Sequence, residues 1–149
     1  MFIRMGSIEE LEKLCQEESL SKNHYTIDKI KKENQEIWVI MNDKKQELIG
    51  QLYIIWNLED KDKANGKNRA YLCSFKILEK YRRHGFGNLL MERVLQRIKD
   101  KGFTEATIEV DKNLDIFIHI YKKMGFDVYL KTYKEFQKPS ILLLNSLEY

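Results

Sequence analysis

The apolar and polar positions of this chain change period along its length, and the changes mark out its elements. FIRM, near the start, reads as a short strand. Ser7 and Glu10 then stand at capping-box spacing, and Ile8, Leu11, Leu14 and Cys15 fall on one stripe, which predicts a helix beginning near residue 8. A second, more polar helix is predicted from Thr26 to Asn34. EIWVIMND and ELIGQLYIIWNL are rich in β-branched and aromatic residues and are separated by a short polar turn, so they predict an antiparallel hairpin. The polar stretch from Glu59 to Asn68 reads as a mobile loop, and AYLCSFKIL as a strand that leads straight into the glycine segment YRRHGFGNLL. From Gly87, the residues Leu90, Val94, Leu95 and Ile98 recur at helical spacing until KDKG supplies a cationic end and a glycine. TEATIEV is a strand and LDIFIHIYKKMG a helix. FDVYLKTYKEF and SILLLNSLEY are a closing antiparallel pair, with Pro139 in their connection. The predicted order is β α α β β β α β α β β, without repeat or linker.

Composition limits what such a domain can do. At 149 residues with 43% apolar side chains, the chain suits one domain with one core. Its 26 basic and 23 acidic residues leave a net charge of +3, too small for a nucleic-acid binder that works by bulk electrostatics. Cys15 and Cys73 stand apart with no CxxC pair, and His24, His84 and His119 are scattered, which argues against a disulfide framework and against a metal site. No signal peptide and no apolar run of about 20 residues is present, so the expectation is a soluble, cytoplasmic protein without a membrane partner.

The glycine segment carries the chemistry. A strand, a glycine-rich turn and a helix N-terminus together present unpaired N–H groups at the positive end of a helix dipole, which suits phosphate oxygens. Arg82, Arg83 and His84 place charge at the rim, and Gly85 and Gly87 remove Cβ atoms that would hold a diphosphate off the amides. Spacing weighs against other phosphate motifs. Leu90 stands where a GxGxxG dinucleotide fingerprint needs its third glycine, and no Lys-Ser/Thr follows for a P-loop.

The pattern that fits is RxxGxG, as Arg82, Gly85 and Gly87, between a strand and an amphipathic helix. FKILEKYRRHGFGNLLMERVL and IEVDKNLDIFIHIYKKMGF resemble the two cofactor motifs of the GNAT family of N-acetyltransferases, over residues 70–126. The resemblance implies an α/β fold: a mixed, mostly antiparallel sheet with a splayed parallel junction and helices on both faces. It implies an acyltransferase with acetyl-CoA as co-substrate, acting on a small-molecule or peptide amine by direct attack in a ternary complex. Phe75, Lys76 and Ile77 would meet the pantetheine arm and thioester, and Arg82, Arg83, His84, Gly85, Phe86, Gly87 and Asn88 would wrap the diphosphate. Tyr121, four residues before Gly125, which Phe126 follows, would be the general acid for the departing thiolate. The family asparagine falls at Leu114, and Asn113 is one place earlier, where it serves either as a cofactor contact or as a helix cap. Family members are often dimers, which makes a homodimer an admissible partner. The base is open among Glu109, Glu59 and Asp60.

Plainer readings stand beside these. The glycines could form only a tight connection, Tyr121 could be a core aromatic, and Trp38, Tyr53 and Trp56 are by default core residues of the hairpin. A CoA-binding module without chemistry, or an acyltransferase with another donor or acceptor, would keep the same cofactor turn.

Overall fold

The computed structural model describes residues 1–7, 34–135 and 138–147. The two N-terminal helices predicted from the pattern lie outside the described residues. Seven strands form one sheet: β1 (Phe2–Met5), β2 (Gln35–Asn42), β3 (Glu47–Ile55), β4 (Arg69–Ile77), β5 (Glu105–Asp111), β6 (Val128–Glu135) and β7 (Lys138–Ser146). Their order is β1-β2-β3-β4-β5-β7-β6. Every neighbouring pair is antiparallel except β4 and β5, which are parallel and joined through helix α1 (Phe86–Asp100). Helix α2 (Asp115–Lys123) links β5 to β6.

The apolar runs of β2 and β3 lack clean alternation because both faces of the sheet are covered there. Trp38 and Ile40 of β2 join the larger core, and Ile37 and Val39, which alternate with them, join a smaller one with Tyr53. The larger core takes the α1 stripe Leu90, Met91, Val94 and Ile98, with Leu95 only half-buried. Leu72 and Ile108, side by side at the sheet centre, and Phe126 lie in the same cluster. Trp56 meets Phe103 edge to face at 5.0 Å.

A fork fixes α1 against β2. Arg97 donates through Nε and Nη2 to the two carboxylate oxygens of Glu36, at 3.0 and 2.8 Å, and Trp38 donates to the same group at 3.1 Å. Burial alone would raise the Glu36 carboxyl, but the Arg97 and Trp38 hydrogen bonds and the Arg97 charge outweigh it and hold the group below the usual carboxylate range. A lowered folded pKa means that this contribution to stability is complete above the unfolded value and is lost as pH falls through the folded one. Urea unfolding of Glu36→Gln is expected to show a loss of about 2 kcal/mol at neutral pH. The same variant should show a shallower decline in stability below about pH 4 than the parent protein.

Two expectations need correction. Pro139 is not in the β6–β7 connection. It is the second residue of β7, opposite Lys134, where a missing N–H is tolerated at a strand start. Its carbonyl still accepts from the Lys112 N–H at 2.9 Å. Nor does β4 run directly into the glycine turn, because a 3₁₀ turn at Glu79–Tyr81 intervenes. The Tyr81 hydroxyl anchors that turn to the hairpin by donating to Glu47 at 2.7 Å and accepting from Asn42 at 3.1 Å.

Candidate functional site

The parallel pair is short. β4 and β5 are in register only from Arg69 and Glu105 to Leu72 and Ile108, although β4 continues to Ile77 and β5 to Asp111. The cause lies in β4. Its register against β3 shifts between Gln51 and Tyr53, so that two β4 residues, Ser74 and Phe75, face Leu52. Ser74 has φ of 54°, a left-handed value that is costly for a residue with a Cβ. This bulge bends β4 away, and residues 73–77 have no strand on their β5 side. A cavity of about 610 Å³ opens in the gap, lined among others by Tyr71, Cys73, Phe75, Glu109, Tyr121 and Ser140.

The cavity has two different sides. Ala70, Leu72, Ile108 and Val110 point to the core that holds α1, and past the bulge Phe75 and Ile77 pack on that side too, with Tyr121 of α2. The Tyr121 ring lies 6.3 Å from Phe75 and 6.2 Å from Phe126, and burial pushes its hydroxyl pKa up, so the group stays protonated at neutral pH. The opposite side carries the alternate residues of the same strands, among them Tyr71, Cys73 and Glu109.

Tyr121 owes its place to the end of its helix. Its carbonyl accepts the N–H groups of Met124 and Phe126, and Gly125 turns the chain with φ of 106°. A Cβ at Gly125 would stand 2.8 Å from Asn145 Nδ2, and that amide donates to the Met124 carbonyl at 3.3 Å. Asn145, buried in β7, was not indicated by any local pattern.

At the glycine turn Gly85 has φ of 81° and is the N-cap of α1, so the turn needs a residue that accepts a left-handed backbone. Arg83, with φ of 66°, shares that region. The first intrahelical bond runs from the Leu89 N–H to the Gly85 carbonyl at 3.2 Å, which leaves the amides of Phe86, Gly87 and Asn88 without intrahelical partners. No acidic residue stands in the first turn of α1. A Cβ at Gly85 would meet nothing within 4 Å, so the space over the turn is open, whereas one at Gly87 would touch the Phe75 ring at 3.4 Å. The structure thus brings Phe75, the turn and Tyr121 to one side of the sheet. Arg83, His84 and Asn88 are exposed at the rim, as is Lys76 on β4. Arg82 is tied back, its Nε donating to the Ile77 carbonyl at 2.8 Å. Asn113 is exposed and its N–H donates to Asp111 at 2.9 Å. Its side chain does not cap α2, whose N-cap is Leu114.

On the other side Glu109 accepts from Lys63 at 2.7 Å, from Ser140 and from Tyr71 at 3.4 Å. Burial would raise its carboxyl, but the Lys63 and Ser140 bonds and the Lys63 charge hold it below the usual range. It is therefore ionised at neutral pH and a weak proton acceptor. Asp60 accepts from the Tyr133 hydroxyl at 2.6 Å, and Glu59 is exposed.

Comparison with known proteins agrees with this geometry. Residues 5–126 match the Acetyltransferase (GNAT) family. A Drosophila melanogaster protein described as a probable N-acetyltransferase san is 31% identical over 68 residues, which span 45% of this chain and 37% of that protein. Among solved structures, Ard1 from Thermoplasma volcanium superposes with a TM-score of 0.74 at 19% identity, covering 99% of this chain and 98% of that one. An aminoglycoside 6'-N-acetyltransferase complexed with coenzyme A superposes with a TM-score of 0.73 at 14% identity, covering 98% and 97%. No described helix is long and apolar enough to cross a membrane.

Proposed function

This chain belongs to the acetyltransferase (GNAT) family, and we propose that it acts as a single N-acetyltransferase domain in the cytoplasm, moving an acetyl group from acetyl-CoA to a primary amine by direct attack in a ternary complex. The observation that carries this reading is the splay of β4 from β5 beyond Leu72 and Ile108, with the open turn and Tyr121 on one side of the gap. The donor set fits the co-substrate. Three amides free of intrahelical partners, a turn with open space above Gly85 and the absence of a first-turn carboxylate suit a diphosphate. Arg82, Arg83 and His84 add positive charge or hydrogen-bond donors at its edge, and Phe75, Lys76 and Ile77 offer backbone to the pantetheine arm. Asn113 stands two residues before the start of α2.

Bound acetyl-CoA supplies an activated acyl thioester, and the chain's part is to position and to protonate. The edge of β4 past the bulge, beside which β5 no longer runs in register, offers N–H groups to the carbonyl oxygen, where negative charge grows as the amine attacks. As the carbon–nitrogen bond forms and the carbon–sulfur bond breaks, the Tyr121 hydroxyl gives its proton to the leaving sulfur, and the proton lost by nitrogen passes to water. Holding the amine against the thioester in a walled gap accounts for most of the acceleration.

Calorimetric titration with acetyl-CoA tests the reading. The intact protein is expected to bind with a Kd of micromolar order, and an Arg82→Ala, Gly85→Ala double variant to lose that binding by about tenfold or more. Absence of binding in the intact protein would overturn it.

A further inference from the structure

The side of the gap opposite the glycine turn holds a feature that the transfer reaction does not use. The Lys63 ammonium lies 4.8 Å from the centre of the Tyr133 ring and 5.3 Å from that of Tyr71, and 2.7 Å from a carboxylate oxygen of Glu109. Two aromatic faces and one carboxylate are the chemistry that recognises an alkylammonium ion. Burial keeps the Tyr71 hydroxyl protonated, and burial with the Asp60 bond does the same for Tyr133, so both rings are neutral π faces.

Two of the three gripping groups, Tyr71 and Glu109, are also wall of the 610 Å³ cavity, and Ser140, which bonds Glu109, is a third piece of that wall. Lys63 approaches from outside the cavity, on the loop between β3 and β4. Its backbone is pinned independently of its ammonium, because the Thr107 hydroxyl donates to the Lys63 carbonyl at 2.6 Å and its own N–H donates to the Asp60 carbonyl at 3.1 Å. The side chain can therefore leave the cage without the loop leaving the sheet. Of the other charges nearby, Asp60 accepts from the Tyr133 hydroxyl, and Lys131, paired with Asp62 at 3.0 Å, also lies 4.8 Å from the centre of the Tyr133 ring, so a cation in the cage shares that ring with Lys131.

We infer that Tyr71, Tyr133 and Glu109 form a subsite for an alkylammonium group of the acceptor, and that Lys63 of the β3–β4 loop fills this subsite until the acceptor displaces it. The inference rests on the transferase reading only for the word acceptor, since the cage and its occupant stand by themselves. Its consequence is a threshold. A tethered competitor present at high effective concentration reduces apparent affinity by the fraction of time the cage is free, so weak cations are excluded and only a flexible alkylammonium with further contacts in the gap gets in.

The probes are putrescine and the monoamine butylamine, titrated calorimetrically into the full chain without acetyl-CoA. Lys63→Met is expected to bind putrescine about tenfold more tightly than the parent protein, as if a cage mostly occupied had been emptied. The gain should disappear in a Lys63→Met, Glu109→Gln double variant, and butylamine, which also presents an alkylammonium, should gain by about the same factor while binding more weakly throughout. If Lys63→Met does not fold by circular dichroism, Lys63→Gln carries the same test, because it keeps a hydrogen-bonding group and loses the charge. Unchanged or weaker putrescine binding in a folded variant would overturn the inference and leave the Lys63–Glu109 pair as a tie between loop and strand. Acetyl-CoA titration of the same samples separates the two ideas, since it reports on the glycine turn and should not change with Lys63.

Discussion

Replacing Tyr121 by phenylalanine is expected to lower kcat by about 100-fold or more while leaving the Kd for acetyl-CoA within a factor of about two, because only the proton donor to the departing sulfur is removed. The ring contacts with Phe75 and Phe126 survive the change, so the cavity wall keeps its shape. The pH profile supplies the sign. Burial raises the Tyr121 pKa, so the acid form persists above the ordinary tyrosine range, and activity of the parent protein should not fall through loss of this proton at neutral or mildly alkaline pH. Steady-state assay of thiol release with an amine acceptor, beside calorimetry, reads both effects. Unaltered kcat in the variant would return Tyr121 to the role of a core aromatic. Undetectable turnover in the parent protein with intact cofactor binding would favour a CoA-binding module.

Gly50→Ala is expected to cost about 1–3 kcal/mol of stability and to weaken acetyl-CoA binding by about tenfold or more. Gly50 sits on β3 opposite Ile77, and a Cβ there would stand 2.7 Å from the Lys76 carbonyl oxygen and 2.4 Å from Ile77 Cδ1. Ile77 can turn its side chain, but the carbonyl is backbone and can give way only if the end of β4 moves. That movement carries the Ile77 carbonyl, which holds Arg82, and with it the approach to the glycine turn. Gly87→Ala is the contrast. Its Cβ would make an ordinary 3.4 Å contact with Phe75, so thermal unfolding should change little while cofactor affinity falls. Equal destabilisation by the two changes would show that β4 yields at Gly50 without strain.

The two glycines show how unevenly the site was written in the sequence. Gly87 lies in a motif whose spacing announces it. Gly50 lies in a strand, where a lone glycine signals only that some backbone comes close, without saying which. The same holds for Tyr121 and Asn145. The tyrosine is legible from its distance to Gly125, while the asparagine that caps its helix lies 21 residues beyond the carbonyl it holds and has no local pattern. Pro139 read as loop because proline usually interrupts a strand, but its position next to the strand start satisfies the rule in another way.

The sequence by itself determined the order of the described elements, the helix that begins at the glycine turn and the tyrosine placed four residues before Gly125. These depend on period, capping and turn chemistry within a few residues, which a linear reading can see. Only the tertiary structure decided where β4 leaves β5, which strand presses on the glycine turn and that Lys63 reaches Glu109 between two tyrosine rings. Those outcomes depend on cross-strand register and on groups distant along the chain that meet in one gap. A single bulge at Ser74 reverses the side on which the following β4 residues face, and no local propensity specifies it.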